Sequence, residues 1–505
     1  MQQQLAGQAT SGPFMAGVLA IIGLSTLLVS NAFGADLAAS GQASPQWLAG
    51  DHHVHSRYST GWDTSTTPPT AIIGGDAIYP IPMNALMGRR FGLAWIVVTD
   101  HGGPEHSKVN LERAYPELLV SRQELPDIIQ FYGMELNTPG ADHSSLIIPF
   151  GPDEAKVLAD IEARFDKYEV YPADPDRDTE AKMLDALRYM QTIDLPPVLI
   201  ANHPSRSAKT LGGVGLTSPA ELQRWNDTAP TVAVGMAGAP GHQAGSLQTN
   251  RAPEGGHRGH YSGYPTLGGF DQMTAQVGGF WDFMLGEGRH WWITANSDSH
   301  VHWTEGGVDF WPGEFSKTYV LAQQNHQAIL ASLRAGRVFV TTGDLVSELS
   351  LNVSDATGQA ADIGGELTTR NADRSADLLV TIRVRDPQGA NAHGDKPQVR
   401  RVDLIFGAVT PRSASQDGTA TDFTNPSAAV LQRFGPADWQ QEGEFLVMTY
   451  ALDKALTAAA GDFYLRVRGT STTQAEPEPD TAGEDPWADL WFYSNPVFVS
   501  VDGDT

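Results

Sequence analysis

The stretch LAWIVVTDH (residues 93–101) joins a strongly apolar run to two polar residues. A short apolar run rich in Val, Ile and Trp is typical of a buried β-strand. The run stops at Asp100 and His101, and histidine is the commonest metal ligand and a frequent acid–base group. The stretch therefore predicts a core strand that carries functional side chains at its carboxyl end.

Four more stretches combine an apolar run with a polar cluster: IIQFYGMELN (128–137), DHSSLIIPF (142–150), PPVLIANHPSR (196–206) and HWWITANSDSH (290–300). Helix-like segments lie among them, at 84–92, 111–125, 179–193 and 325–336. Alternating β and α units predict an α/β fold with a parallel sheet, open or closed. In a closed barrel the loops that follow the strands gather on one face, which would bring the polar clusters together.

The pattern changes after Gly343, where alternating runs such as ADLLVTIRVRD (376–386) are separated by turn residues. We expect an all-β sandwich over residues 346–505, after an α/β unit over 47–345. A long Gly-rich segment inside the α/β unit, 236–279, is expected to form an ordered lid. The acidic, Pro-rich segment 473–489 is expected to be a solvated loop, with calcium binding as the alternative.

The composition narrows the possible partners and the compartment. The chain has 505 residues, a net charge of −26 and no cysteine. An acidic surface repels phosphates, so no nucleic-acid polymer is expected as a partner. The absence of cysteine excludes disulfides, thiolate metal ligands and a Cys nucleophile.

Residues 1–34 contain no Asp, Glu, Lys or Arg, and they include the apolar run MAGVLAIIGLSTLLVS (15–30). Small residues follow that run, which indicates a signal peptide over 1–34, cleaved near Gly34 or Ala35. We therefore predict an exported protein, periplasmic or extracellular, without stable membrane insertion after cleavage. An uncleaved anchor is the alternative.

The motif GDHHVHS (50–56) separates His53 from His55 by one residue. On a strand, positions i and i+2 point to the same side, so these two imidazoles can converge on one point, as a metal site requires. His52 would point the opposite way and is expected to be structural.

Asp298 and His300 repeat the i, i+2 spacing at the end of another predicted strand. The remaining candidate ligands stand at strand edges: His101, Glu135, His143 and His203, with Asp100 as a further candidate. Nitrogen and carboxylate ligands without sulfur suit Zn²⁺, Mn²⁺ or Fe²⁺. Because one ion cannot take so many ligands, we expect two or three divalent ions with a bridging carboxylate.

In this order, GDHHVHS, VTDHG, GMELN, DHSSLI, ANHPSR and NSDSH resemble the motifs of the PHP (polymerase and histidinol phosphatase) family. The resemblance covers about residues 47–345. It implies a distorted (β/α)7 barrel, up to three metals and phosphoester hydrolysis. By motif, it implies the following ligands: His53, His55, Glu135 and Asp298 for one metal; Glu135, His143 and His203 for a second; His101 and His300 for a third.

The sequence departs from the family at one position. Thr60 stands where the family often has an aspartate, so the third metal lacks a usual ligand. Asp63, His106 or water are the candidate replacements.

We therefore expect a metal-dependent phosphoesterase that hydrolyses a phosphomonoester or phosphodiester of small or medium size by attack of a metal-bound hydroxide. His101 or His300 is expected to assist the leaving alkoxide. Arg206 is expected to clamp a phosphate bidentately, with a surface or ion-paired arginine as the alternative. Further candidate substrate contacts lie in the long segment: His242, Arg258 and His260.

Two other functions stay open. The same metal chemistry can hydrolyse another bond, such as an amide or a phosphonate. Alternatively, the chain is a non-catalytic protein that binds an envelope or polysaccharide partner on a barrel retained as a scaffold.

Overall fold

The apolar runs of the N-terminal half form strands of one large sheet. A computed structural model describes residues 44–248, 255–259, 261, 264–370, 378–410 and 422–502. The predicted signal peptide, 1–34, lies outside these residues. Within them, no helix has both the length and the apolar character needed to cross a bilayer.

The strands of this half are, in chain order, β1 (Gln46–Val54), β2 (Gly61–Asp63), β3 (Thr70–Ile72), β4 (Trp95–Val98), β5 (Ile129–Asn137), β6 (His143–Ile148), β7 (Val198–Ala201), β8 (Ala233–Ala239), β9 (Trp292–Ala295), β10 (Ser316–Ala322) and β11 (Val338–Thr342). Strands β2 and β3 pair only with each other. The large sheet contains the run β11-β10-β1-β4-β5-β6-β7-β8-β9. Each of the five apolar stretches of the sequence therefore contributes one strand to this run.

This sheet is mixed rather than parallel throughout, which differs from the expectation. β1, β4 and β5 are mutually parallel, and so are β7, β8 and β9, but β6 runs antiparallel to both of its neighbours. Only residues 138–142 separate β5 from β6. A parallel crossover needs about a dozen residues or more, so this short link dictates an antiparallel pair.

The helices of the N-terminal half are α1 (Ile81–Arg90), α2 (His106–Val109), α3 (Tyr115–Glu124), α4 (Glu154–Phe165), α5 (Glu180–Gln191), α6 (Pro219–Thr228), α7 (Gln272–Ala275), α8 (Phe280–Gly286) and α9 (His326–Arg334). The four predicted helical segments correspond to α1, α3, α5 and α9. Side-chain caps define several starts. Thr179 accepts from the Lys182 amide at α5, and Asn325 accepts from the Ala328 amide at α9.

The first and last strands of the run β1 to β9 approach each other at their carboxyl ends. Val54 forms a parallel bridge with Ser299, and the His55 amide donates to the Ser299 carbonyl at 3.0 Å. This contact places the residues that follow β1 beside those that follow β9. The polar ends of distant strands are thereby brought to one place.

After residue 345 the regular elements of the described chain are strands, apart from one helix, α10 (Lys454–Ala460). The strands are β12 (Glu348–Ser354), β13 (Ala360–Ala361), β14 (Glu366–Arg370), β15 (Leu379–Arg385), β16 (Arg401–Ala408), β17 (Ala429–Phe434), β18 (Gln440–Glu442), β19 (Phe445–Ala451), β20 (Phe463–Thr470), β21 (Trp491–Ser494) and β22 (Val497–Asp502). Strands β13-β12-β15-β19-β18 form a separate antiparallel sheet, and β21 continues the large sheet through β11. The fold is thus mixed α/β followed by β structure.

Candidate metal centre

The eight predicted ligands come from six segments and meet at the carboxyl side of β1 and its neighbours. His53 lies in β1, Glu135 in β5, and His143 begins β6. The others stand just after strands, where the chain leaves the sheet: His55, His101, His203, Asp298 and His300. Their ligand atoms form three groups, and within each group all atoms lie within 4.8 Å of one another: His53, His55, Glu135 and Asp298; Glu135, His143 and His203; His55, His101 and His300.

The central group is fully buried and tightly spaced. His53 Nε2 lies 2.9 Å from His55 Nε2, and both nitrogens lie 3.1 Å from Asp298 Oδ1. Glu135 Oε1 lies 3.1 Å from His53 Nε2. Two ring nitrogens and two carboxylate oxygens thus surround one point, which is the donor set that a divalent transition metal takes.

Glu135 joins the second group to the first. The same Oε1 atom lies 3.0 Å from His143 Nδ1 and 3.1 Å from His203 Nε2. The side-chain amide of Asn202 donates a hydrogen bond to this oxygen at 3.0 Å. A carboxylate that belongs to two groups has the position of a bridge between two cations.

The third group lies at the mouth of the centre, where the side chains of His101 and His300 are partly exposed. Asp76, which no motif contains, also reaches this point. Its Oδ2 atom lies 3.1 Å from His101 Nε2 and 3.3 Å from His300 Nε2. Sequence reasoning missed this residue because it comes from a hairpin with no ligand-type pattern.

Electrostatics in the centre favour ionised carboxylates. Burial opposes the charge on Glu135, yet the imidazoles of His143 and His53 hold the pKa of its carboxyl group well below its usual range. Burial likewise opposes ionisation of Asp298, but His53 and His242 keep its pKa well below the ordinary value. Both carboxylates are therefore available as anionic ligands.

The imidazoles divide into two kinds. Burial, together with His300, lowers the pKa of His55 well below its ordinary value, and burial with Arg206 lowers that of His203 to about 4. Burial also disfavours charge on His53, but Asp298 and Glu135 outweigh it and raise its pKa. The centre thus combines neutral nitrogen donors with a local demand for positive charge, which fits a bound cation.

The backbone is strained at this centre. His203, His242 and Asp298 have positive φ angles of 28°, 58° and 48°, a region that residues other than glycine rarely adopt. Such outliers cluster at functional sites, where the surrounding structure holds them. A Cβ atom on Gly241 would lie 2.0 Å from the Cβ of Asp298, so only glycine allows His242 to approach.

A second layer of contacts orients the ligands. His242 lies between two carboxylates, with Nε2 2.7 Å from Asp298 Oδ2 and Nδ1 2.6 Å from Asp309 Oδ1. Sequence reasoning proposed His242 only as a substrate contact and did not identify Asp309. The only available signal was the position of His242 in the long Gly-rich segment.

Asp100, the further candidate ligand, belongs to this second layer. It accepts hydrogen bonds from the amide and hydroxyl of Ser56 and from the Ser59 hydroxyl. Ser59 Oγ in turn lies 2.7 Å from His55 Nδ1. The chain Asp100–Ser59–His55 therefore fixes the ring orientation of a first-motif histidine.

A cavity of about 400 Å³ opens onto the three groups. Arg206 lines it, and this side chain is anchored by Asp142, with Nη2 2.7 Å from Oδ1 and Nε 3.3 Å from Oδ2. Arg206 is thus an ion-paired arginine, as the alternative expected, and it also lines the cavity; its role as a phosphate clamp stays a prediction.

Several other candidates lie elsewhere. His106 is no replacement ligand, since Glu162 Oε1 (2.6 Å) and the Tyr58 carbonyl (2.8 Å) engage its two nitrogens. Asp63 is not in the centre either, because its carboxylate accepts hydrogen bonds from Ser65 on the exposed hairpin.

His52 forms a hydrogen bond with Thr294, which agrees with the structural role expected for it. Arg258 is buried in an ion network with C-terminal acidic residues, and His260 lies outside the described residues.

Fold and site together define an α/β protein with a buried histidine–carboxylate centre whose ligand atoms lie at metal-binding distances. No protein-family model matches the chain, and no curated protein matches its sequence.

Proposed function

We propose that this chain is an exported, metal-dependent phosphoesterase of the PHP type. The observation that carries the proposal is the sharing of Glu135 between two groups of ligand atoms, with a third group adjacent. Multi-ion centres that clamp a phosphate are built around ions a few ångströms apart, which requires such a bridging group.

The fold proposed for residues 47–345 is a distorted (β/α)7 barrel, followed by a β-sandwich over 346–505. Seven strands, β1 and β4 to β9, support it, as does the bridge between Val54 and Ser299 that joins the two ends of this run. The antiparallel β6 is the distortion. The separate antiparallel sheet of the C-terminal part supports the sandwich.

We propose two or three divalent ions, Zn²⁺, Mn²⁺ or Fe²⁺, in this centre. Imidazole and carboxylate donors suit these metals, and the chain offers no thiolate. When bound, such ions act as Lewis acids toward phosphoryl oxygens and lower the pKa of coordinated water.

The side chains around the cavity have distinct tasks. Arg206, held by Asp142, presents a guanidinium to an incoming phosphate, and its anchored fork reduces the entropy lost on binding. His101 and His300 line the same cavity and assist the leaving group, either by holding a cation or by donating a proton. His242 and Asp309 hold Asp298 in position.

The cavity and the surface charge favour a bounded substrate. A volume of about 400 Å³ is in the range of sites for small molecules, and Arg206 is the one cationic side chain besides histidine among its described lining residues. With a net charge of −26, the protein repels polyanions at long range. A small or medium phosphate ester fits these conditions better than a nucleic-acid polymer.

A screen tests the proposal. The mature protein, loaded separately with Mn²⁺, Zn²⁺ or Fe²⁺, is assayed on phosphomonoesters, phosphodiesters, a phosphonate and an amide. We expect hydrolysis of at least one phosphate ester, its loss in His53→Ala and its retention in His393→Ala, an exposed histidine of the C-terminal part. Hydrolysis of the amide or phosphonate alone would favour a metal-dependent hydrolase of another bond type. Inactivity of the fully loaded protein on all of them would favour the binding protein.

A further inference from the structure

The sequence motifs do not supply enough ligands for a third ion. The third group of ligand atoms contains His55, His101 and His300, but His55 is already committed to the central group. Its Nδ1 atom lies 2.7 Å from Ser59 Oγ, and its Nε2 atom lies among His53 and Asp298. An imidazole nitrogen has one lone pair, so it cannot bind two ions. His101 and His300 are left as a pair.

A carboxylate completes that pair from outside the motifs. Asp76 Oδ2 lies 3.1 Å from His101 Nε2 and 3.3 Å from His300 Nε2, so three donor atoms converge at the cavity wall. These separations lie within the range of 3.1–3.5 Å found for the nitrogen–oxygen pairs of the central group. The arrangement is that of ligands around a shared point.

The hairpin of β2 and β3 delivers Asp76 to this position. The segment that follows β3 is tied to the residues after β1 on both sides of Asp76, since the Gly74 amide donates to the Arg57 carbonyl at 2.7 Å and the Ala77 amide to the Ser59 carbonyl at 3.4 Å. At Gly75 the chain passes so close to Gly61 that an added Cβ would lie 2.6 Å from the Gly61 nitrogen. Two glycines in contact thus allow the chain to turn back and place Asp76 beside His101.

We propose that Asp76, with His101 and His300, ligates a third divalent cation and so replaces the ligand that Thr60 does not supply. The inference rests on the proposed metal cluster. Thr60 itself donates its amide to the His101 carbonyl at 3.1 Å and belongs to none of the three groups. The site is the most exposed of the three, because the Asp76 side chain is 40% exposed. It therefore exchanges its ion fastest and binds it least tightly.

Metal counting tests this inference without any substrate. The wild-type protein, Asp76→Asn, Asp76→His and Asp63→Asn are loaded with Zn²⁺, freed of excess metal and analysed for bound ions, with calorimetric titration of the weakest site. We expect Asp76→Asn to retain one equivalent fewer than the wild type. Asp76→His supplies a nitrogen donor and should restore that equivalent. Asp63→Asn removes an aspartate from the adjoining hairpin of β2 and β3 and should keep the full count.

The contrary outcomes are distinct. An unchanged count in Asp76→Asn, a wild-type protein that never takes a third ion, or a loss in Asp76→Asn of more than one ion would each overturn the assignment. Failure of the phosphoesterase proposal has a different signature, since the expected ion counts would then be found in a protein that hydrolyses no ester.

Discussion

Two buried clusters of acidic side chains in this protein differ in the groups that surround their carboxylates. In the candidate metal centre, imidazoles surround Glu135 and Asp298, and the side-chain amide of Asn202 also donates to Glu135. In the second cluster, three carboxylates of the segment 473–489 surround Arg258, whose side chain is 1% exposed. Its Nη2 lies 3.0 Å from Asp480 Oδ1, its Nε lies 3.0 Å from Glu484 Oε1, and Asp489 is also bonded to it.

The comparison shows what distinguishes a metal centre from an acidic cluster. Arg258 is a permanent cation supplied by the chain, and it pairs with all three carboxylates of the second cluster. The histidines of the metal centre present lone pairs, and burial lowers the pKa of two of them. That centre therefore has the donor set to take a cation from solution. The predicted solvated loop is thus in part a buried anchor for the long Gly-rich segment.

The largest effect is expected from Glu135→Gln, which weakens the bridge between two ligand groups. Hydrolysis of the best phosphate ester should fall roughly 10,000-fold, because both adjacent cations lose an anionic ligand. Steady-state kinetics and elemental analysis on the same sample measure this. Glu442→Gln, an exposed site in the C-terminal part, is the matched control. Full activity of Glu135→Gln would show that the carboxylate is not a bridge.

Arg258→Met should destabilise the fold without altering the metal count. Removing the guanidinium leaves Asp480 and its neighbours buried and unpaired, which costs about 3–5 kcal/mol of the free energy of unfolding. Urea denaturation of the metal-loaded protein measures the change. Arg383→Met breaks an exposed ion pair with Glu442 and should cost less than about 1 kcal/mol. Equal effects of the two variants would mean that the buried network contributes nothing specific.

The buried pair of His106 and Glu162 is tested by the pH dependence of the free energy of unfolding. Burial disfavours charge on His106, but the Glu162 carboxylate outweighs it and raises its pKa to about 9, against 6.5 when unfolded. The pair therefore stabilises the fold fully below pH 6.5, and this contribution, about 3 kcal/mol, is lost as the pH rises through 9. Unfolding free energies of the wild type and Glu162→Gln, compared from pH 6 to 10, isolate it. If the free energy of unfolding changes with pH in the same way in both proteins, Glu162 does not raise the pKa of His106.

The smallest effect is expected from His242→Ala, which removes the contact to the outer oxygen of Asp298. Contacts of this kind typically change metal affinity about 10–100-fold. Competition with a chromogenic chelator measures the affinity directly. His242→Gln, which retains one amide donor, should recover part of the loss. If the alanine variant binds metal as tightly as the wild type, His242 is not a positioning residue.

Local sequence pattern predicted much of the site and part of the fold. The strand period predicted that His53 and His55 converge at the end of β1, and the five apolar runs located β4, β5, β6, β7 and β9. Helix α4, whose buried positions include Leu158 and Ile161, was not among the predicted helical segments. The antiparallel direction of β6 was not predicted, because the alternation of strands and helices indicated a parallel sheet and the short link before β6 was not considered.

Asp76, His242 and Arg258 could not be assigned from sequence, because each depends on a contact between distant segments. Asp76 needs the backbone contacts of Gly74 and Ala77 and the contact of Gly75 with Gly61, and His242 needs the approach permitted by Gly241. Arg258 was expected near the substrate, yet its partners stand more than two hundred positions away in the chain.

The sequence alone indicated which side chains leave each strand together, because alternation along a strand is a local geometric rule. It also determined the chemistry of the centre, since residue types decide whether a cluster offers lone pairs or a charge. Only the tertiary structure decided which clusters meet, which of them the chain neutralises itself, and that a hairpin aspartate joins His101 and His300. Those outcomes depend on strand pairing and loop closure, whose energies are summed over the whole fold.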